Sequence, residues 1–127
     1  MIKKLLILGS GGNGRVIADV AEKCNEFEEI AFLDKKFLNN NCSKNINSRK
    51  LIGDISRDTI YELSKEFTHA FVSIGDNKIR IKWLKELLKF DFIIPKICDP
   101  SAEISKYAEI DQGCFINTNV VIQCNSR

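Results

Sequence analysis

Six residues constrain this chain more than any others. Gly9-Ser10-Gly11-Gly12-Asn13-Gly14 has the spacing G-x-G-x-x-G and directly follows the mainly apolar run of residues 2–8. A short apolar run ended by glycines reads as a strand buried on both faces of a sheet. Val16, Ile17, Val20 and Ala21 then recur at helical spacing over about residues 14–24, so the glycines make the tight turn into a helix. The next apolar run, Ile30-Ala31-Phe32-Leu33, ends at Asp34, twenty residues after Gly14. Together these segments predict a βαβ unit with a right-handed crossover. Gly9, Gly11 and Gly14 permit unusual dihedrals and close approach of backbone to a phosphate, and the free N–H groups at the helix start favour an anion. The helix dipole supplies only about 0.3–1 kcal/mol at an exposed terminus, so several N–H bonds must carry the affinity. A ligand-free glycine turn meets the same spacing, but the full strand, loop, helix, strand and Asp34 context favours a nucleotide site.

The rest of the first hundred residues continues the alternation. Residues 35–50, polar and rich in Asn and Lys, read as a mobile surface excursion without a core of its own. Leu51-Ile52-Gly53-Asp54 returns the chain to the domain, and Ile60, Leu63 and Phe67 predict a helix over 57–67. A strand at 69–74 ends at Gly75-Asp76-Asn77, and Ile79, Ile81, Trp83, Leu84, Leu87 and Leu88 predict a helix to about Phe90. Phe92 to Ile97 reads as a last strand. Strands alternating with helices indicate an open parallel sheet covered on both faces. Gly75, Asp76 and Asn77 lie at the carboxyl end of a strand, the edge where such sheets bind ligands, and are candidates for the same nucleotide. Asp76 fits a helix cap equally well, and Arg80 suits either a phosphate or a solvated helix face.

From Cys98 the period changes. Ile104, Ile110, Ile116 and Ile122 recur every six residues, while Ala102, Ala108, Cys114, Val120 and Ser126 keep a second six-residue register of modest side chains. That period marks a parallel β-helix, whose interior takes the aliphatic position and whose tight corner takes the smaller one. Five hexads run over 98–127, and about three make one coil of the familiar solenoid, so the second coil is incomplete. The expected organisation is a Rossmann-like domain at 1–97 followed by an incomplete parallel β-helix at 98–127.

A chain of 127 residues leaves no room for a large two-domain enzyme. Its 44% hydrophobic and 28% charged residues exclude disorder and a membrane-spanning fold. The net charge of +2 comes from scattered residues, which argues against nucleic acid as partner. The charged start resembles a signal peptide, but its apolar run stops at Gly9, short of the roughly seven to fifteen residues required. Five cysteines without C-x-x-C spacing read as reduced thiols, and the expected location is the cytoplasm. His69, the one histidine, introduces a strand and reads as a structural residue rather than a catalyst. Cys114 and Cys124 have no nearby His partner in sequence for nucleophilic catalysis.

The glycine loop, the Phe32-Leu33-Asp34 strand end, the segment Ile74-Gly75-Asp76-Asn77-Lys78-Ile79-Arg80 and the Pro100-Ser101-Ala102 start of the hexads resemble, in this order, the PglD/NeuD-type sugar O- and N-acyltransferases. The resemblance implies a Rossmann-like domain binding a UDP-sugar and a left-handed β-helix binding acetyl-CoA, in a homotrimer with active sites between subunits. Carried onto this chain, it implies uridine-diphosphate contacts from Gly11, Gly12, Asn13, Asp34, Lys35 and Gly75. Two positions depart from the family pattern: Asn13 stands where His is typical, and Lys35 where a second acid is frequent. Asn still donates a hydrogen bond, and Lys35 offers phosphate a cation. The family's catalytic His, a general base toward the acceptor amine or hydroxyl, belongs to coils beyond residue 127. The expectation is therefore a UDP-sugar-binding portion of a sugar acetyltransferase of bacterial surface-glycan biosynthesis, truncated and inactive alone. Two alternatives remain: an NAD-binding Rossmann module with Asp34 on the ribose, and a non-enzymatic assembly module pairing through the open β-helix edge.

Overall fold

The computed structural model describes residues 2–46, 48–98, 103–104, 115–116 and 121–122, with backbone alone for 98 and the three later pairs. Strand β1 (Lys4–Leu8) leads through the glycine loop to helix α1 (Gly12–Lys23) and strand β2 (Glu29–Leu33). A short 3-10 turn (Lys35–Leu38) precedes β3 (Asn45–Ile46), β4 (Arg49–Gly53), α2 (Arg57–Leu63), β5 (His69–Val72) and α3 (Asn77–Lys89). The sheet order is β3-β4-β2-β1-β5. β1 pairs in parallel with β2 and β5, β2 pairs in parallel with β4, and β3 runs antiparallel to β4.

Central position explains the composition of β1. Successive side chains of a strand point to opposite faces, and here both faces are covered. Leu5 and Ile7 pack with Ile17, Ala18, Ala21 and Phe32 on the α1 side. Leu6 and Leu8 pack with Ala31, Leu33, Ile60, Trp83 and Leu87 on the side of α2 and α3. The helical spacing in α1 buries Ile17, Ala18, Val20 and Ala21 along one stripe. Arg49 ties the flank together, its Nη1 lying 2.9 Å from Asp19 Oδ1 and its Nη2 pairing with Glu22, so β4 is fastened to α1.

Four expectations need correction. Residues 35–50 do contribute to a core: Ile46 is 5% exposed, and Phe37 and Cys42 pack against the α1-side cluster. Between Cys42 and Leu51 Ile46 is the one apolar residue, too little for a periodicity, so β3 left no pattern to read. The β3–β4 hairpin also makes the sheet mixed rather than wholly parallel. Finally, residues 92–97 do not form one strand beside β5. Only a His69–Ile93 bridge forms, with Ile93 N donating to Thr68 O and Ala70 N to Ile93 O. The next donor along this ladder falls at Pro95, which has no N–H. The predicted helix over 57–67 also ends earlier, at Leu63.

Ile97 instead opens β6 (Ile97–Cys98), which pairs in parallel with β8 (Phe115–Ile116), while β7 (Glu103–Ile104) pairs in parallel with β9 (Val121–Ile122). Each partner lies eighteen residues on, or three hexads, the spacing of one coil. Cys98 faces Ile116 and Ile104 faces Ile122 in register. The other hexad positions, Ala102, Ala108, Ile110, Cys114, Val120 and Ser126, and the Pro100-Ser101 start, lie outside the described residues.

Candidate functional site at the carboxyl edge of the sheet

The loops that follow β1, β2 and β5 meet at one end of the sheet. Gly9 N donates to Leu33 O at 2.7 Å, so the glycine loop leaves β1 against the end of β2. Gly9 has φ +105°, and a Cβ there would stand 2.6 Å from Ser73 Oγ. A Cβ on Gly14 would lie 2.1 Å from Gly9 O. These two glycines are required by the fold itself. Gly11, Gly12 and Gly75 differ, since a Cβ on any of them would meet nothing within 4 Å. Packing gives no reason for glycine at these three positions, whereas a ligand lying against the backbone does.

Gly11 caps α1 with extended backbone and no side-chain hydrogen bond, and the first turn carries no acid. The N–H groups of that turn therefore have no side-chain acceptor, and the turn carries no negative charge of its own. Ser10, by contrast, is fully buried and turned inward. Its N–H and hydroxyl both donate to Asp34 Oδ2 at 2.8 Å, and its carbonyl accepts from Arg15 Nε at 3.3 Å. Asp34 Oδ1 accepts from Lys36 N at 3.0 Å, capping the 3-10 turn. Burial pushes the Asp34 carboxyl up, but the Lys36 N–H, both Ser10 donors and the Lys36 charge outweigh it and hold the group below its usual range.

The β5 loop closes the third side. Ser73 Oγ lies 3.0 Å from Leu8 O and 2.9 Å from Gly9 O, donating to this pair of carbonyls at the start of the glycine loop. Asn13 Nδ2 points toward Ser73 O at 3.5 Å, linking α1 to the same loop. Gly75 is exposed, Asp76 Oδ1 accepts from Ile79 N at 3.0 Å as the cap of α3, and Asn77 Oδ1 accepts from Arg80 Nη2 at 2.6 Å. Asp76 thus serves as a cap, and Arg80 is paired on its own helix. Lys35 is exposed and makes no hydrogen bond or ion pair among the described residues.

All eleven candidate positions therefore gather at one edge, but their chemistry divides. Gly11, Gly12, Asn13, Lys35 and Gly75 are open to solvent, Asp76 and Asn77 are exposed but bonded to α3, while Gly9, Ser10, Gly14 and Asp34 build the loop. Two contributors have no motif: Ser73, which meets the glycine loop only through pairing of β5 with β1, and Arg15, whose Nε holds the Ser10 carbonyl. His69 is buried, its Nδ1 2.7 Å from Thr68 Oγ1 and its ring edge-on to Phe27 at 5.3 Å. Among the described residues no group of His, Cys, Asp and Glu could hold a metal, and no helix is long and apolar enough to cross a membrane. The hexads that the resemblance assigns to acetyl-CoA fall mainly outside the described residues.

Comparison with known proteins agrees with this architecture. The chain is similar over 98% of its length to the acetyltransferase domain of PglB from Neisseria gonorrhoeae FA1090, solved with acetyl coenzyme A, at 29% identity and a TM-score of 0.82. PerB from Caulobacter crescentus, solved with CoA and GDP-perosamine, shares the fold at 23% identity and a TM-score of 0.82, again over 98% of this chain. The chain spans 57% and 56% of these two neighbours. No curated protein matches it. The family model of the PglD N-terminal domain matches residues 4–87, the stretch from β1 into α3 that builds the site, and the chain belongs to that family.

Proposed function

We propose that this chain is the nucleotide-sugar-binding portion of a sugar acetyltransferase, which moves an acetyl group from acetyl-CoA to an amine or hydroxyl of a nucleotide-linked sugar in bacterial surface-glycan biosynthesis. One observation carries the reading. Gly11, Gly12 and Gly75 are glycines that the fold does not need, and all three face open space at the edge where α/β sheets bind ligands. The organisation that goes with it is a Rossmann-like unit at 1–97 and a β-helix from 98. The active assembly is a cytoplasmic homotrimer.

In this reading the uncapped N–H groups at the start of α1 receive the diphosphate, Asn13 and Lys35 add donors beside it, and Gly75 lets the backbone after β5 approach from the other side. Asp34, Ser10 and Ser73 keep the loop in place before the ligand arrives, which lowers the ordering cost of binding. Acetyl-CoA supplies the acyl group when bound to the β-helix. His69, buried at the start of β5 in a structural contact, takes no part as general base toward the acceptor. PerB was crystallised with GDP-perosamine, which supports the nucleotide-sugar class, and uridine is the base this chain's resemblance points to.

Calorimetric titration with UDP-N-acetylglucosamine, a GDP-sugar and NADH tests the reading. Binding of a nucleotide sugar without NADH supports it, and binding of NADH alone replaces it with a dinucleotide-binding module. Gly11→Val makes the test local, because a Cβ at Gly11 meets no protein atom within 4 Å and the variant should fold. Unchanged nucleotide affinity in that variant would remove the glycine loop from the site.

A further inference from the structure

Asp34 stands where a dinucleotide-binding βαβ unit carries the acid that accepts from ribose hydroxyls. In this chain the carboxylate is already committed. It has about four lone-pair sites, and three are filled: Oδ2 by the N–H and hydroxyl of Ser10, each at 2.8 Å, and Oδ1 by the N–H of Lys36 at 3.0 Å. A pair of ribose hydroxyls would need two acceptors where one is left. The donors belong to the two loops that Asp34 joins, and Ser10 is fully buried, so freeing Oδ2 would mean dismantling the glycine loop. The neighbouring Lys35 is exposed and has no partner among the described residues. The group that this strand end turns outward is therefore a cation rather than an acceptor.

We propose that Asp34 is a positioning residue that braces the glycine loop, and that the site recognises its nucleotide through the diphosphate, with the ribose 2′-hydroxyl unread. The inference rests on the nucleotide-sugar reading and narrows it. A carboxylate that reads the ribose prefers UDP to 2′-deoxy-UDP, whereas a brace treats the two alike.

The experiment titrates the full chain with UDP and with 2′-deoxy-UDP, as wild type, Asp34→Ala and Lys35→Ala. The expected result is wild-type affinities equal within about threefold, and a loss of about tenfold or more in Asp34→Ala that is the same for both ligands. Lys35→Ala should weaken both ligands equally, with unchanged thermal unfolding. A deoxy ligand that binds wild type about tenfold more weakly, with the difference vanishing in Asp34→Ala, would overturn the proposal while leaving the nucleotide site intact. Failure of wild type to bind either ligand would overturn both the site and this assignment. If Asp34→Ala does not fold, the wild-type comparison still decides, and Ser10→Ala, which removes only one donor, should weaken both ligands by one common factor.

Discussion

Gly14 tolerates no side chain and Gly12 tolerates one freely, although they sit two residues apart in one motif. A Cβ at Gly14 would lie 2.1 Å from Gly9 O, a steric clash with backbone, so Gly14→Ala should lower stability by about 2–4 kcal/mol or prevent folding, read by urea unfolding. Gly12→Ala adds a methyl to open space at the start of a helix, where Ala is the better former, so stability should hold or rise by a few tenths of a kcal/mol while nucleotide affinity falls. Equal stability effects in the two variants would refute this division. At the same scale, His69 titrates below its usual value because burial disfavours the charged ring, with Lys3 adding repulsion and Glu26 partly offsetting it. With the folded value depressed, the unfolded chain binds the proton more readily. The stability this residue contributes is full above the ordinary value near 6.5 and is lost as pH falls through the lower folded value. Unfolding midpoints at pH 7.5 and pH 5 should therefore differ less in His69→Gln than in wild type. The glycines were visible in the sequence, but their different duties were not, because they depend on how the loop folds Gly14 back onto Gly9 O and on Ser73, brought beside Gly9 by pairing of β1 with β5 more than sixty residues on.

Elements show where local pattern suffices and where it fails. α3 was readable from its apolar spacing and from Asp76 before it, and the structure shows that cap accepting from Ile79 N. Asp76→Ala should cost about 1 kcal/mol in urea unfolding. Leu87→Ala, which truncates a side chain with no exposure, should cost about 2–5 kcal/mol. A larger loss at Asp76 than at Leu87 would mean that the helix is held more by its end than by its packing. Strand β3 escaped pattern reading because Ile46 is a lone apolar residue whose partners come from α1 and β4. The segment 92–97 looked like a strand from composition, yet the missing N–H of Pro95 limits it to a bridge. Apolar content predicted burial there correctly, since Phe92 and Ile94 are in the core. Strand pairing was decided by one donor.

At the scale of the molecule, two cores on opposite faces of one sheet depend on the same β1, so ligand binding at the sheet edge should be felt as global stability. At a free ligand concentration of about a hundred times Kd, a nucleotide sugar should stabilise the chain by about 2.7 kcal/mol. A rise of several degrees in the thermal midpoint is expected with UDP-sugar and none with NADH, measured at equal concentrations. The six-residue period from residue 98 was readable because each coil repeats its own corner and interior, so the pattern needs no distant partner. The pairing of Ile97 with Phe115 and of Ile104 with Ile122 follows that period by three repeats.

The amino-acid sequence by itself determined the class of fold and the order of its main segments, and it named the candidate residues that the structure gathers at one edge of the sheet. Those follow from local facts: two-sided apolar runs make central strands, a 3.6-residue spacing makes helices, and clustered glycines make a phosphate-sized turn. Only the tertiary structure decided what each residue at that edge does. Asp34 has the same place in the sequence whether it reads a ribose or braces a loop. The difference lies in which donors surround it, and those come from the loop after β1 and the turn after β2 at once. Hydrogen-bond capacity is finite, and how it is filled depends on contacts between segments far apart in the chain.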